Sequence, residues 1–367
     1  MLGELELVDF LMARGLVDAS TVVDGDLAIF DASRRNRNFR VVSRTGPSYL
    51  VKQGLGAEGR ATVANEAGVY QALAAGGARV TRYLPAFHAY DHEHGVLVLE
   101  LVESARALSE HQSRGRFSAS LARGVGRALG SLHSASSGVP EEARRYAVPP
   151  FALSVHRPAV SWLRDISEAN VELIKLLQNA PGVTELLDDV RAGWRTECVV
   201  HNDYKADNCV VVRGRDGRGT GVRLIDWEGG GWGDPAWDAG SVFGDYLSIW
   251  LSSIPITGAE APERFAELAK FPLERMRPAL RAFWDGYVRE ARLDAAGADR
   301  QLVRSARYSA MRLLQTAFEQ TQAGSRLTGT TMCLCQVAVN VVRRPHEAAV
   351  RLLGIPFQGV ANATAAA

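Results

Sequence analysis

The stretch HNDYKADN, residues 201–208, decides the reading of this chain. It lies between two apolar runs, CVV (198–200) and CVVV (209–212), that read as short strands. A His, two Asp, a Lys and an Asn crowd into eight residues at a strand end. Three uses fit that concentration: a metal site, a catalytic loop or a polar turn. The next apolar run, VRLIDW (222–227), ends in another carboxylate, Asp226, with Glu228 just beyond it. If the link RGRDGRG (213–219) closes a hairpin, Asn208 and Asp226 come to stand side by side. One amide oxygen and one carboxylate suit a hard cation such as Mg2+, which takes few protein ligands and completes its shell with phosphate and water. Asp203, on the same loop, then sits beside the cation without binding it. A hydroxyl nucleophile has to be oriented at that place for phosphoryl transfer.

The bulk composition sets bounds on this reading. At 367 residues, with 47% hydrophobic and 23% charged side chains, the chain has the make-up of a globular protein of two domains or lobes. A net charge of +1 provides no field for nucleic acid or an anionic membrane, and neither is expected as a partner. The N-terminus, MLGELELVDFLMARG, puts acidic residues first, unlike a secretory signal, and no apolar run reaches membrane-spanning length. A cytoplasmic protein is expected. The abundance of Ala, Arg and Gly over Lys points to a GC-rich bacterial genome. Cys198, Cys209, Cys333 and Cys335 form no CxxC pair, and the last two read as small buried hydrophobes.

Along the chain, residues 4–18 read as an amphipathic leading helix. Strand-like runs follow at 27–31, 39–43 and 48–53, then a helix over 60–75 ended by Gly76 and Gly77, and two more strands at 84–90 and 95–102. The tight polar links between the first three strands, SRRNRN and RTGP, predict an antiparallel meander there. Beyond residue 103 helical patterns dominate, at 117–136, 159–179, 183–194 and repeatedly between 236 and 353, interrupted by the strand island 197–227. The chain therefore divides into a β-rich lobe, 1–102, with its leading helix in 1–20, and a larger helical lobe, 103–367. The second lobe carries the loop 201–208 and the segment 224–228. The tail GVANATAAA is expected to fray.

With these residues in hand the sequence resembles a known family. HNDYKADN fits the His-x-Asp-x-x-x-x-Asn loop of aminoglycoside phosphotransferases and choline kinase-like enzymes, and shares its Asp and Asn with the protein-kinase loop. LIDWE (224–228) stands where protein kinases have Asp-Phe-Gly. GGGWGDPAWD (229–238) resembles the family's Gly-Asp-Pro-x-x-Asp element, and LGSLH (129–133) its Leu-Gly-x-Leu-His helix. The ordered set spans most of the chain. The resemblance implies an α+β, bilobal protein kinase-like fold and an ATP- and Mg2+-dependent kinase. It implies that Lys52, on the third strand, contacts the α- and β-phosphates and pairs with Glu66, Glu58 being the poorer candidate. It implies that Asn208 and Asp226 bind the metal, that Asp203 orients the acceptor hydroxyl, that His201 braces the loop and that Asp238 ties it down. Adenine would lie at the hinge, at Glu100 and Val102. The link SRRNRN (33–38) lacks the glycines of a kinase phosphate loop, leaving Ser33 and backbone N–H groups to meet phosphate; Arg34, Arg35 and Arg37 are either phosphate contacts or solvated side chains.

Three rival readings stand beside this one, the last of them a non-catalytic kinase-like binding protein, disfavoured because Lys52, Asp203, Asn208 and Asp226 are all present. Gly54, Gly56 and Gly59 match a GxGxxG dinucleotide fingerprint after a strand, but in a meander and not a βαβ unit. His201, Asp203 and Asp207 could ligate the metal of a hydrolase, although no second histidine cluster accompanies them. Asp207 reads as solvent-facing, Tyr204 and Trp227 as packing residues, and Asp234 as a cap before Pro235. For the acceptor, residues 241–367 carry fifteen Arg and Lys against eleven Asp and Glu, which disfavours a polycation. Lys205, two residues after Asp203, resembles the lysine that Ser/Thr protein kinases usually have there, and the resemblance implies that it reaches the transferring phosphate and acts in catalysis. The pattern resembles kinases of lanthipeptide-type peptide modification, which phosphorylate Ser or Thr of a precursor peptide and hand it to a partner lyase. The alternative acceptor is a small-molecule alcohol such as an aminoglycoside, choline or an amino sugar.

Overall fold

The computed structural model describes residues 3–33, 36–74, 77–136, 141, 144–164, 166–213, 220–256 and 267–359. Most of the link 213–219, Arg34, Arg35, Gly76 and the last eight residues of the tail lie outside them. Helix α1 (Glu4–Ala13) leads into strands β1 (Leu27–Asp31), β2 (Arg37–Ser43) and β3 (Tyr49–Gln53), helix α2 (Gly56–Ala74) and strands β4 (Phe87–Asp91) and β5 (Val96–Glu100). The five strands form one antiparallel sheet in the order β1-β2-β3-β5-β4. The expected meander is present in β1–β3, and β5, not β4, pairs next to β3, which lies at the centre of the sheet.

Strand alternation separates the two faces of this sheet. Phe39, Val41, Tyr49, Val51, Val96 and Val98 are buried against Leu7, Phe10 and Leu11 of α1. On the other face Leu97 and Leu99 join Val63, Ala67, Tyr70 and Leu73 of α2, and this cluster runs on without a break into the helical part. Lys52 lies opposite Asn38 on β2 and Leu97 on β5, so it projects from the middle of the sheet and not from an edge.

The element bounds differ from the sequence reading where a local signal outweighs periodicity. The leading helix stops at Ala13 because Gly15 turns left-handed, at φ +65°. Helix α2 starts one turn early, so Gly56 and Gly59 lie in its first turn. A Cβ on Gly54 would stand 2.3 Å from the Gly59 carbonyl oxygen, and one on Gly59 would stand 2.6 Å from Asn36 Oδ1. These glycines make a tight strand-to-helix corner. Both neighbours of β3 are antiparallel, which removes the dinucleotide-fold reading of Gly54, Gly56 and Gly59.

The helical part comprises α3 (Ala119–Ala135), α4 (Glu168–Asn179), α5 (Val183–Ala192), α6 (Pro235–Ser252), α7 (Leu273–Ala291), α8 (Ala295–Gln320) and α9 (Gly329–Arg343). The single helix expected over 159–179 is two pieces: a 3-10 turn, Val160–Arg164, and α4, which Ser167 caps by accepting from Asn170 N–H at 3.0 Å. Helix α6 is buried on nearly every side and forms the axis of this part. Among them run β6 (Cys198–Val200), β7 (Cys209–Arg213), β8 (Thr220–Leu224) and β9 (Gly231–Gly233). β6 pairs with β9, and β7 with β8 in the expected hairpin register. Among the described residues no helix is long and apolar enough to cross a membrane.

Candidate active site

The loop 201–208 leaves β6 directly above α6. Asp238, fully buried in the first turn of α6, accepts N–H bonds from His201 at 2.7 Å and Asn202 at 2.9 Å. His133, the histidine of LGSLH on α3, meets the same carboxylate at 3.1 Å. Three donors thus satisfy a carboxylate that would be costly to bury alone. His201 directs Nε2 to the Ile225 carbonyl at 2.9 Å and packs its ring on Trp227, with centroids 4.5 Å apart. It is engaged in bracing the chain. Asn202 takes a left-handed φ of +66° and turns the backbone toward Asp203. Tyr204 and Trp227 are buried, Asp207 is exposed, and Asp234 caps α6 by accepting from Ala236 N–H at 3.0 Å.

Past the turn, Lys205 Nζ lies 2.9 Å from Asp203 Oδ2, both side chains being about one-third exposed at 38% and 35%. Burial opposes the Lys205 charge, but Asp203 outweighs it and keeps the pKa above the ordinary lysine value. Asn208 Nδ2 donates to the Asp203 carbonyl at 3.0 Å and stands 3.4 Å from Oδ2. Cys209 lies opposite Leu224, and Ile225 N–H bonds to the Asn208 carbonyl at 2.9 Å, so the hairpin brings Asn208 alongside Asp226. Asp226 itself is left-handed, at φ +66°.

Lys52 meets this hairpin from the sheet. Its Nζ contacts both carboxylate oxygens of Glu66, at 2.9 and 2.8 Å, and Asp226 Oδ1 at 2.7 Å. Glu66 is 1% exposed and Lys52 8%, so the strand lysine is affordable only as part of this cluster. Burial works against the Lys52 ammonium, yet Glu66 and Asp226 outweigh it and raise its pKa. Burial pushes Glu66 up, with Lys52 pulling against it. For Asp226 burial also pushes up, but Lys52 wins and the carboxyl lies below its usual value. Glu66 Oε1 further accepts from Trp227 N–H at 3.2 Å. Two groups of side chains result, Lys52 with Glu66 and Asp226, and Asp203 with Lys205 and Asn208, joined by one hairpin.

Other expected positions have partners of their own. Glu100 accepts from Ala86 N–H at 2.9 Å and pairs with Arg223, while Val102 is half-buried in irregular chain after β5. Ser33 Oγ accepts from Asn38 N–H at 3.1 Å within its own link. Arg37 lies over the Phe39 ring, 5.2 Å from its centroid. Asn65 was not legible as a site residue: its Nδ2 donates to the carbonyls of Glu228 at 3.0 Å and Gly230 at 2.8 Å, tying α2 to the segment after Asp226. Asp245 and Arg312, beneath the loop, were likewise not legible. Among the described residues no three His, Cys, Asp or Glu side chains converge to hold a metal. Of the three residues of the hydrolase reading, His201 directs Nε2 to the Ile225 carbonyl and Asp207 is exposed.

An antiparallel sheet set on a helical body, with a buried Lys–Glu pair facing an Asp–Asn loop, defines a phosphotransferase of protein kinase-like fold. The chain belongs to the APH phosphotransferase enzyme family, whose sequence model matches residues 26–283, and is thereby a kinase with an alcohol group as acceptor. Among solved structures it is similar to amicoumacin kinase hAmiN in complex with AMP-PNP, Ca2+ and Ami, at 14% identity and a TM-score of 0.50, covering 96% of this chain and 99% of that one. It is also similar to choline kinase LicA from Streptococcus pneumoniae, at 13% identity and a TM-score of 0.48, covering 92% and 99%. A choline/ethanolamine kinase family protein from Mesorhizobium loti matches at 17% identity and a TM-score of 0.45, covering 93% and 94%. At these identities the likeness is one of fold. No curated protein sequence matches the chain.

Proposed function

We propose that the protein transfers the γ-phosphate of ATP to a hydroxyl, with residues 1–102 as the nucleotide-binding lobe and 103–367 carrying the catalytic loop. The observation that carries this reading is the buried cluster of Lys52, Glu66 and Asp226 beside the Asp203–Lys205–Asn208 group. Lys52, held by Glu66, would take the α- and β-phosphates. Asn208 and Asp226 fit a hard cation: the amide nitrogen of Asn208 is engaged by Asp203, leaving its oxygen, and Asp226 is held ionised. Mg2+ bound there would neutralise phosphate charge. Asp203 accepts the proton of the acceptor hydroxyl as its oxygen bonds to the γ-phosphorus and the bond to the β–γ bridging oxygen breaks, releasing ADP. Lys205 is poised to offset charge on the transferring group. Glu100, Val102 and Ser33 remain the proposed flank of the nucleotide. A cytoplasmic location goes with the use of ATP.

For the acceptor we favour Ser or Thr of a peptide in lanthipeptide-type modification, with a lyase as partner. Asn202 Nδ2 donates to the Val148 carbonyl at 2.9 Å, which brings the exposed Val148, with the exposed Tyr146 two residues before it, beside the loop. Exposed apolar side chains there suit an extended peptide more than a polycation. The small-molecule alcohol reading is supported by the family itself. Incubation with Mg·ATP and, in turn, Ser/Thr peptides and small alcohols, followed by mass spectrometry, separates the two. Phosphate added only to small alcohols sinks the peptide reading, and no transfer to any hydroxyl sinks both.

A further inference from the structure

The loop 201–208 hangs from α6 at two points, and the mechanism above uses only one of them. Asp238 holds the His201–Asn202 end. Seven residues on, two helical turns along the same face, Asp245 Oδ2 accepts from Ala206 N–H at 2.8 Å. Ala206 opens the 3-10 turn Ala206–Asn208, so its N–H has no partner within that turn, and Asp245 supplies one. The Asp245 side chain is only 13% exposed, and Arg312 of α8, 8% exposed, faces it with Nε 3.4 Å from Oδ1. Burial raises the Asp245 pKa, with the Arg312 charge pulling against it.

Arg312 reaches this place because α6 and α8 touch through glycines. A Cβ on Gly240 would stand 2.7 Å from the Ser305 carbonyl oxygen, and one on Gly244 would stand 2.6 Å from Arg312 Cβ. Side chains at either position would push α8 away and leave Asp245 buried without its cation.

We propose that Asp245, locked by Arg312, is a positioning residue for phosphotransfer, fixing the Lys205–Ala206 end of the catalytic loop as Asp238 fixes the other. The proposal rests on the phosphotransfer reading of Asp203. Lys205 and Asn208 flank Ala206 and both contact Asp203. Releasing the Ala206 N–H lets Lys205 and Asp203 shift relative to Asp226, while Asn208, whose carbonyl accepts from Ile225 N–H at 2.9 Å, keeps its place beside the hairpin. Lys52, Glu66 and Asp226 lie on other elements and stay in place. Asp245 therefore sets turnover while leaving nucleotide binding alone.

Two double variants test this without leaving the buried Arg312 to Glu319, 3.6 Å away, as its remaining carboxylate partner. Asp245→Asn with Arg312→Met keeps an oxygen for the Ala206 N–H; Asp245→Ala with Arg312→Met removes it. The probe reaction is Mg·ATP hydrolysis, in which water takes the place of the acceptor. The Asn-bearing pair is expected to keep kcat within about fivefold of wild type, and the Ala-bearing pair to lose roughly 10²-fold, the scale of an ångström misplacement, with the nucleotide KM of both within about threefold. Equal kcat in the two pairs overturns the proposal, as does a loss carried by KM. Asp203→Asn run alongside reports on the base itself, so its failure to lower kcat indicts the phosphotransfer reading and not Asp245. Amide hydrogen exchange gives an arm independent of activity. Ala206 N–H is expected to be protected in the wild type and the Asn-bearing pair and to exchange faster in the Ala-bearing pair. Equal protection overturns the anchor whatever the turnover.

Discussion

Asp203 and Lys205 form a contact pair at the surface of the loop, whereas Lys52 and Glu66 are buried. The two pairs are therefore expected to fail differently. Asp203→Asn keeps the hydrogen-bonding shape and loses the proton acceptor, so kcat is expected to fall at least ~10²-fold with nucleotide affinity unchanged. Steady-state kinetics with calorimetry of Mg·ATP checks this, and wild-type turnover would remove Asp203 from the chemistry. The cysteines lend a second prediction. Burial pushes the Cys209 and Cys335 thiols up to about 12 and raises Cys198 as well, whereas Cys333 is only partly covered. At pH 8 these thiols remain protonated, and a thiolate-directed reagent is expected to label Cys333 first in the native state and all four after unfolding, as read by mass spectrometry. At this scale Asp203, Asn208 and Asp226 were named as candidates from their types and spacing, and Lys52, Glu66 and Lys205 from the resemblance those residues carry. The sequence did not reveal Asn65 or Asp245, whose partners are backbone atoms at 228, 230 and 206. A backbone partner leaves no mark in the residue type opposite, and only folding brings it into reach.

At the scale of elements, the sheet was legible from alternation, since one face must meet α1 and the other α2. Which helix covers which face was not legible, because both candidates offer similar apolar residues. The break between the 3-10 turn Val160–Arg164 and α4 was signalled by Ser167 and Glu168, a cap sequence that helical periodicity across 159–179 overrode. The role of α1 as a lid on the outer face can be measured. Leu11 is fully buried between α1 and the sheet, remote from Lys52 on the opposite face. Leu11→Ala is expected to cost about 2–5 kcal/mol of stability, the usual range for a large-to-small core change. Denaturant midpoints should fall accordingly while kcat at low temperature holds. A loss of turnover without loss of stability would show that α1 acts on the site and not on the sheet alone.

In the whole molecule, the sheet and the helical part meet through one continuous apolar cluster and through ion pairs, Arg223 with Glu100 and, within the candidate site, Lys52 with Asp226. That pair has to be shared when phosphates arrive, since Lys52 and Asp226 are the proposed phosphate and metal contacts. With Lys52 holding phosphate and Asp226 the metal, bound Mg·ATP would link the two parts in place of the direct Lys52–Asp226 pair, and binding should stabilise the fold as a unit. At a ligand concentration 100 times Kd the gain is about 2.7 kcal/mol, enough to raise Tm by several degrees. Wild type and Asp203→Asn are expected to show this shift with Mg·ATP, and to show less of it when the metal is chelated. Asp226→Ala is expected to lose it, because Lys52 keeps Glu66 but the metal loses its carboxylate. The distinction matters because Asp226→Ala also removes a structural contact and should lower the ligand-free Tm by itself. The informative quantity is the difference between liganded and free Tm within each variant. An undiminished difference in Asp226→Ala would mean that Asp226 only staples the two parts together and that the metal is held elsewhere.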